Sequence, residues 1–269
     1  MTTTSTPALK APILANKHPA SPSAFLPAAL LREARRQKGL AAADAPQVCI
    51  LDPDGDLVRR LRATGAARPF PAWPCYHTEL DVFPLGAREA GIIRWAVGAP
   101  FAVLVAEELF ASGCQLLVSL TSAGQIAPAG PPPYFVIIDR ALRDEGASYH
   151  YTRPSEFADA REELVSAAAK ATAGLRQRVI VGSSWTTDAP FRETAEAIAA
   201  ARAQGVLAVE MEAAALYAFA SAKGVRALCL AHVTNTMGQS GADFEKGEAD
   251  GTGDALAVLE AVVEALLAV

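Results

Sequence analysis

The chain has 269 residues, 51% of them hydrophobic and 20% charged, and carries a formal net charge of -5 at pH 7. That length supports one large domain with a sizeable core, or two small ones. The mild acidity excludes the electrostatic footprint of a nucleic-acid or membrane-surface protein. No apolar run is long enough to span a bilayer. The opening MTTTSTPALKAPILANKHPASPS lacks a charged segment followed by an apolar core, so a cytoplasmic protein without a secretory signal is expected. Cys49, Cys75, Cys114 and Cys229 show no CxxC spacing and three of them sit in apolar runs, which predicts buried free thiols rather than disulfides or a zinc site.

In chain order, residues 1–45 differ from the rest. They are rich in Thr, Ser, Pro and Ala up to Ser23, and Phe25 to Lys38 then reads as an amphipathic helix ended by Gly39. This part is read as an N-terminal extension that packs on the main domain or on a neighbouring subunit, and residues 46–269 as the main domain. Val48 to Leu51 is a buried strand and Leu57 to Arg62 a helix. Gly91 to Val97 is a strand, Phe101 to Phe110 a helix, and Leu116 to Leu120 and Tyr134 to Asp139 are strands. Pro131-Pro132-Pro133 marks a stiff turn before the second of these. Phe157 to Ala171 reads as a helix, Arg178 to Ser183 as a strand, Glu193 to Arg202 as a helix and Gly205 to Ala208 as a strand. Ala213 to Ala220 is a helix, Ala227 to Val233 a strand, and Ala255 to Leu267 a closing helix. Short apolar strands alternating with helices argue for an α/β sandwich around a mostly buried sheet.

Ligands in such folds sit beyond the carboxyl ends of strands. Five candidate ends carry polar groups: Asp52-Pro53-Asp54-Gly55-Asp56, Thr121-Ser122-Ala123-Gly124, Ser184-Trp185-Thr186-Thr187-Asp188, Glu210-Met211-Glu212 and Thr234-Asn235-Thr236. There is no GxSxG nucleophile, phosphate-binding P-loop or metal-ligand spacing. Glu210 and Glu212 flank Met211 at a strand-to-helix junction. A carboxylate there can accept two hydrogen bonds from a vicinal diol, and a thioether beside it can lie against a sugar face.

The order Val97-Gly98-Ala99-Pro100, Thr121-Ser122-Ala123-Gly124 and Val209-Glu210-Met211-Glu212 resembles the purine nucleoside and uridine phosphorylase family, whose superfamily includes nucleosidases. Arg143 to Tyr151 (RDEGASYHY) and Trp185 to Thr194 (WTTDAPFRET) look like a branch described broadly as nucleoside phosphorylase. The resemblance runs from Gln47 to the C-terminus. It implies a three-layer α/β/α sandwich with a mixed central sheet, a homo-oligomeric assembly (dimer, trimer or hexamer), a small nucleoside substrate and no organic cofactor or metal. It also implies that Glu212 binds the ribose hydroxyls and that Met211 lies under the sugar. Splitting an N-glycosidic bond builds positive charge on the sugar, and a carboxylate gripping its hydroxyls strengthens its bonds as that charge develops.

Three departures shape the expected chemistry. Ser119 stands where the resemblance places a phosphate-binding arginine. The first loop is DPDGD, and Arg59 and Arg60 are out of register for a second. Asp54 or Asp56 is instead a candidate base for activating water, as first-loop carboxylates do in the nucleosidases. Arg68, Arg94 or a neighbouring subunit's arginine is the remaining route to a phosphate site. Asn235 stands where purine-specific members carry an aspartate, and an amide cannot deliver a proton. Trp185 and Phe191 are candidates to stack on the base, with Gln125, Arg192 and Gln239 as loose polar candidates. Thr121, Ser122 and Gly124 are read as a pocket-lining turn.

Plainer readings stand beside these. Glu210 doubles as a helix-capping acid, Asp54 and Asp56 as turn and N-cap residues, Trp185 as core, and Asp188 as either a substrate ligand or the cap of a helix starting near Arg192. The expected function is N-glycosidic cleavage of a nucleoside, hydrolysis being favoured over phosphate-dependent cleavage. The rival from another class is a nucleoside-binding protein that has lost catalysis.

Overall fold

The computed structural model describes residues 11–237 and 244–269. These form ten strands: β1 (Val48–Asp52), β2 (Arg68–Pro69), β3 (Asp81–Leu85), β4 (Arg88–Arg94), β5 (Leu116–Gln125), β6 (Tyr134–Asp144), β7 (Phe157–Asp159), β8 (Val179–Thr187), β9 (Val206–Glu210) and β10 (Arg226–Asn235). The helices are α1 (Pro27–Lys38), α2 (Asp56–Ala63), α3 (Ala99–Ala111), α4 (Glu162–Thr172), α5 (Ala195–Ala203), α6 (Ala213–Lys223) and α7 (Thr252–Leu266).

One mixed sheet runs β10-β6-β8-β9-β5-β1-β4-β3-β2, with β7 added to β6. β1, β5 and β10 are buried on both faces, which is why they read as unbroken apolar runs. In β1, Cys49 and Leu51 point into one core with Val105 and Leu109 of α3 and Leu216 and Phe219 of α6. Val48 and Ile50 point the other way, onto Val58 of α2, Leu164 of α4 and Val262 of α7. The expected three layers follow from this alternation. The sheet also bends back on itself, because β10 pairs with both β6 and β5, and β5 with β9. The path β5-β10-β6-β8-β9 is therefore a closed ring, with β1 to β4 as an extension on one side.

Several elements differ from the sequence reading. β5 continues through Gln125, so Thr121 to Gly124 is strand rather than turn, paired with Ala231 to Asn235 of β10. β8 likewise continues through Thr187. The helix expected over Phe157 to Ala171 divides: Phe157 to Asp159 pairs with β6, and helix begins only at Glu162. Phe157 sits under the Arg140 guanidinium, 4.3 Å from its ring centroid, and this tertiary contact overrides a helical local pattern. β3 escaped the sequence reading because Pro84 breaks a strand pattern. β2 pairs only with Asp81 and Val82, so Pro84 faces an open edge where its missing N–H costs nothing.

The helix expected from Phe25 starts at Pro27, where Pro is tolerated, and closes on Gly39 in the left-handed region (φ 64°). Its Leu31 and Ala34 are buried, and it packs on α3 of the same chain. All four cysteines are buried free thiols.

Candidate active site

β9 delivers Glu210 to the start of α6, and its carboxylate is fully used there. Oε1 accepts from the hydroxyls of Ser184 (2.9 Å) and Thr186 (2.5 Å), and Oε2 from the backbone N–H groups of Glu212 and Ala213 (2.7 Å each). It anchors the free N–H groups and positive end of α6, the plainer of its two readings. Glu212 differs. Its Oε1 accepts from the Gly98 N–H at 2.7 Å, while Oε2 is buried with no partner. Gly98 adopts φ 87°, a region that favours glycine. Burial, with the charge of Glu210 adding to it, pushes the Glu212 carboxyl up to about 8.

Met211 lines a cavity of about 340 Å³ with Glu210, Ser122, Gly124, Phe191 and Asn235. That is the size class of small-molecule sites. Glu212, 1% exposed, is not on this wall. Gly124 is tightly held: a Cβ there would collide with the Met237 sulfur and stand 3.2 Å from Asn235 Oδ1. Asn235 accepts from the Met237 N–H through Oδ1 (2.9 Å) and donates through Nδ2 to the Ala123 carbonyl and the Thr234 hydroxyl. Phe191 is 99% exposed and forms part of the rim.

A second, smaller space of about 20 Å³ shares Ser122 with the first and is bounded by Asp54, Asp56, Thr121 and His232. It has room for about one water. Asp54 fills the donors of Ser122, taking its hydroxyl on Oδ1 (2.9 Å) and its N–H on Oδ2 (3.1 Å). Asp56 starts α2 and is bound by Lys246 and Arg59, each at 2.6 Å. Burial works to raise the Asp56 carboxyl, but these two cations outweigh it and hold it below the usual range. Lys246 also stands 3.8 Å from Asp54. Asp52 fixes the loop from beneath by accepting from the N–H groups of Gly55 and Val58, and burial pushes its carboxyl up to about 7.

His232 is level with Ser122 across the β5–β10 ladder. Its ring stacks on Phe135 at 4.5 Å and its buried Nε2 has no partner. Burial and the Lys246 charge hold it down at about 4, so it is neutral near pH 7. The backbone of Gly251 closes over the ring, since a Cβ there would stand 2.5 Å from Cε1.

Other sequence candidates lie elsewhere. Trp185 belongs to the small core of Ile126, Val206 and Val209, and its indole donates to Asp144 at 3.0 Å; because β8 continues past it, the ring turns inward, away from the cavity. Asp188 accepts from the Gly146 N–H, and α5 is capped by Thr194 instead, so the capping reading of Asp188 is not met. Gln125 donates to the Gly130 carbonyl and the Tyr134 hydroxyl. Arg68 pairs with Glu89, and Arg94 pairs with Glu79 and lies over Trp95. Ser119 is buried, its hydroxyl unpartnered. Gln239 lies outside the described residues. A larger cavity, about 600 Å³, lies between α1 and α3 and contains none of the residues selected for sugar or base.

The sequence reading missed Glu193, His232 and Lys246. His232 had a signal, a lone imidazole inside an apolar strand. Glu193 and Lys246 had none, because their neighbours are remote in the chain. Among the described residues, no cluster of three or more His, Cys, Asp or Glu is placed to hold a metal ion, and no helix is long and apolar enough to cross a membrane.

A family model for the phosphorylase superfamily matches residues 47–268. The chain belongs to this superfamily. It is 30% identical over 166 residues to a uridine phosphorylase of Thermococcus kodakarensis, covering 54% of this chain and 59% of that protein. It is also 30% identical over 161 residues to a guanosine phosphorylase of Halorubrum lacusprofundi, covering 57% and 65%. The chain thus spans about three fifths of the length of the curated relatives it matches. A solved uridine phosphorylase from Vibrio fischeri, in complex with 6-hydroxy-1-naphthoic acid, superposes with a TM-score of 0.70 at 20% identity, over 84% of this chain and 93% of that one. That likeness establishes the superfamily's mixed-sheet fold.

Proposed function

We propose that this superfamily member cleaves the N-glycosidic bond of a nucleoside and passes the ribosyl group to water. The sugar half of the reading rests on the unpartnered oxygen of Glu212, an acceptor suited to a ribose hydroxyl that its side chain reaches by turning out of its buried position, and on the Met211 thioether, which lines the cavity. As the C1′–N bond breaks, its electron pair leaves with the base and positive charge grows on the sugar. Glu212 gains binding energy at that point in its ionised form, which becomes the major one above about pH 8.

The observation that carries the hydrolytic reading is the Asp54–Ser122 pair. A phosphate at this position needs donors, and both donors of Ser122 are already taken by a carboxylate. A dianion brought against that carboxylate is repelled, whereas the adjoining 20 Å³ suits one water. Asp54 accepts a proton from that water as its oxygen bonds to C1′. His232 Nε2 is a further polar contact for the same water.

Phosphorolysis is the second reading. It is favoured by the Lys246 ammonium beside Asp54 and by the names of the relatives. The deciding experiment follows base release from a nucleoside panel with and without inorganic phosphate. Release at an equal rate in phosphate-free buffer, yielding free ribose, is the expected outcome. A strict phosphate requirement with a ribose phosphate product overturns hydrolysis. Binding with no release under either condition supports the non-catalytic rival.

A further inference from the structure

One titratable side chain on the cavity wall is left idle by this scheme. Glu193 lies in the link between the 3-10 turn Pro190–Arg192 and α5, and lines the same 340 Å³ cavity as Met211, Asn235 and Phe191. Among the described residues it has no ion pair or hydrogen-bond partner, and burial alone pushes its carboxyl up to about 7. Near neutral pH it therefore holds a proton for much of the time. Asn235, on the same wall, offers hydrogen bonds but no proton.

We propose that Glu193 is the catalytic acid that protonates the departing base, and that this base sets a ring-nitrogen acceptor beside an exocyclic amine. The inference rests on the N-glycosidic cleavage reading but not on which acceptor takes the sugar. A protonated carboxyl presents one O–H donor next to one carbonyl acceptor. Adenine matches it with N7 and the N6 amine, whereas a 6-oxopurine presents two acceptors there. Cytosine carries the same acceptor–amine pair on its ring. Uracil has no free basic ring nitrogen to take the proton.

The step balances. The electron pair of the C1′–N bond passes to the base, and the Glu193 proton moves to the ring nitrogen, so the base leaves neutral. C1′ bonds the water oxygen, and the water proton goes to Asp54. Solvent exchange then returns a proton to Glu193 and removes one from Asp54. The net reaction splits water between base and sugar.

The test compares wild type and Glu193→Gln on adenosine, cytidine, inosine, uridine and 4-nitrophenyl β-D-ribofuranoside. 4-Nitrophenolate departs without a proton. On adenosine or cytidine the variant is expected to lose about 10²–10⁴-fold in kcat with little change in KM, the usual worth of acid catalysis. On 4-nitrophenyl β-D-ribofuranoside its loss is smaller by at least about tenfold, which also shows that the variant is folded. Whichever of adenosine and cytidine is turned over identifies the base. Equal losses on the natural and activated substrates, or no loss on either, overturn the role of Glu193. Wild-type preference for inosine or uridine overturns the base assignment. If wild type cleaves none of the five, the glycosidic reading fails as well; wild-type turnover with an unimpaired variant sinks Glu193 alone.

Discussion

Replacing Glu212 with glutamine is expected to lower nucleoside cleavage by about two to three orders of magnitude, the range seen when one charge-stabilising group is removed from a preorganised site. The same variant is expected to be more stable at pH 8 than the wild type. The Glu212 carboxyl is raised by burial and by the Glu210 charge from 4.5 to about 8. The folded state therefore binds its proton more tightly than the unfolded chain. That stabilisation is complete below pH 4.5 and is lost as pH rises through 8. At about 1.4 kcal/mol per unit, it amounts to roughly 5 kcal/mol across the window. Asp52, raised to about 7, and Glu193, also about 7, lose stability in the same direction. His232, lowered to about 4, works the other way: its contribution is lost as pH falls from 6.5 toward 4. These groups are common to both proteins, so the difference between the two melting curves isolates Glu212. The variant melts several degrees higher at pH 8, and the curves converge toward pH 5. Near-normal turnover by the variant sinks the ribose-ligand role, whatever its melting temperature.

Asp54→Asn is expected to reduce phosphate-free cleavage by about 10²–10⁴-fold, the range for loss of a general base. The asparagine oxygen can still accept from Ser122, so the loop keeps an anchor while the base is gone. The two acceptor chemistries respond in opposite directions to this change. Water attack loses its proton acceptor, whereas a phosphate gains because a negative charge leaves the Ser122 donors. Activity that falls without phosphate and rises with it marks a site poised between the two acceptors. Phosphate-free activity that survives unchanged removes Asp54 from the mechanism. Asp56 provides the contrast, since its carboxylate is held by Lys246 and Arg59 rather than directed at Ser122.

The layers were legible because strands buried on both faces leave unbroken apolar runs, as at Val48–Asp52 and Leu116 to Leu120. The junction at Glu210-Met211-Glu212 was legible for the opposite reason: two carboxylates are conspicuous in an apolar stretch. What the local pattern did not carry was pairing between distant segments. Asp54 meets Ser122 across 68 positions, and Lys246 meets Asp56 across 190. The extension of β5 through Thr121 to Gly124 was hidden because small polar residues resemble a turn; the β10 ladder, with β9 pairing Gly124 as well, makes them strand. The two readings of Trp185, base stacking and core, divide on the same point, since a ring placed after a strand faces the ligand end, and one placed within it faces the core, as here.

The ring formed by β5, β10, β6, β8 and β9 has one short seam, the two pairs Gly124–Val209 and Gln125–Ala208. A closed ladder has no free edge from which to fray, so its amides exchange with solvent only when the ring parts. The β5–β10 ladder is far longer, and the seam is the place where parting costs least. It lies between Ser122 and Glu210, so one opening event there separates the strand that carries Ser122 from the strand that leads to Glu210 and Glu212. Slow amide exchange at Val209 and Gln125 in the presence of a nucleoside, and faster exchange without it, is the signature of a site whose rigidity is completed by its own ligand.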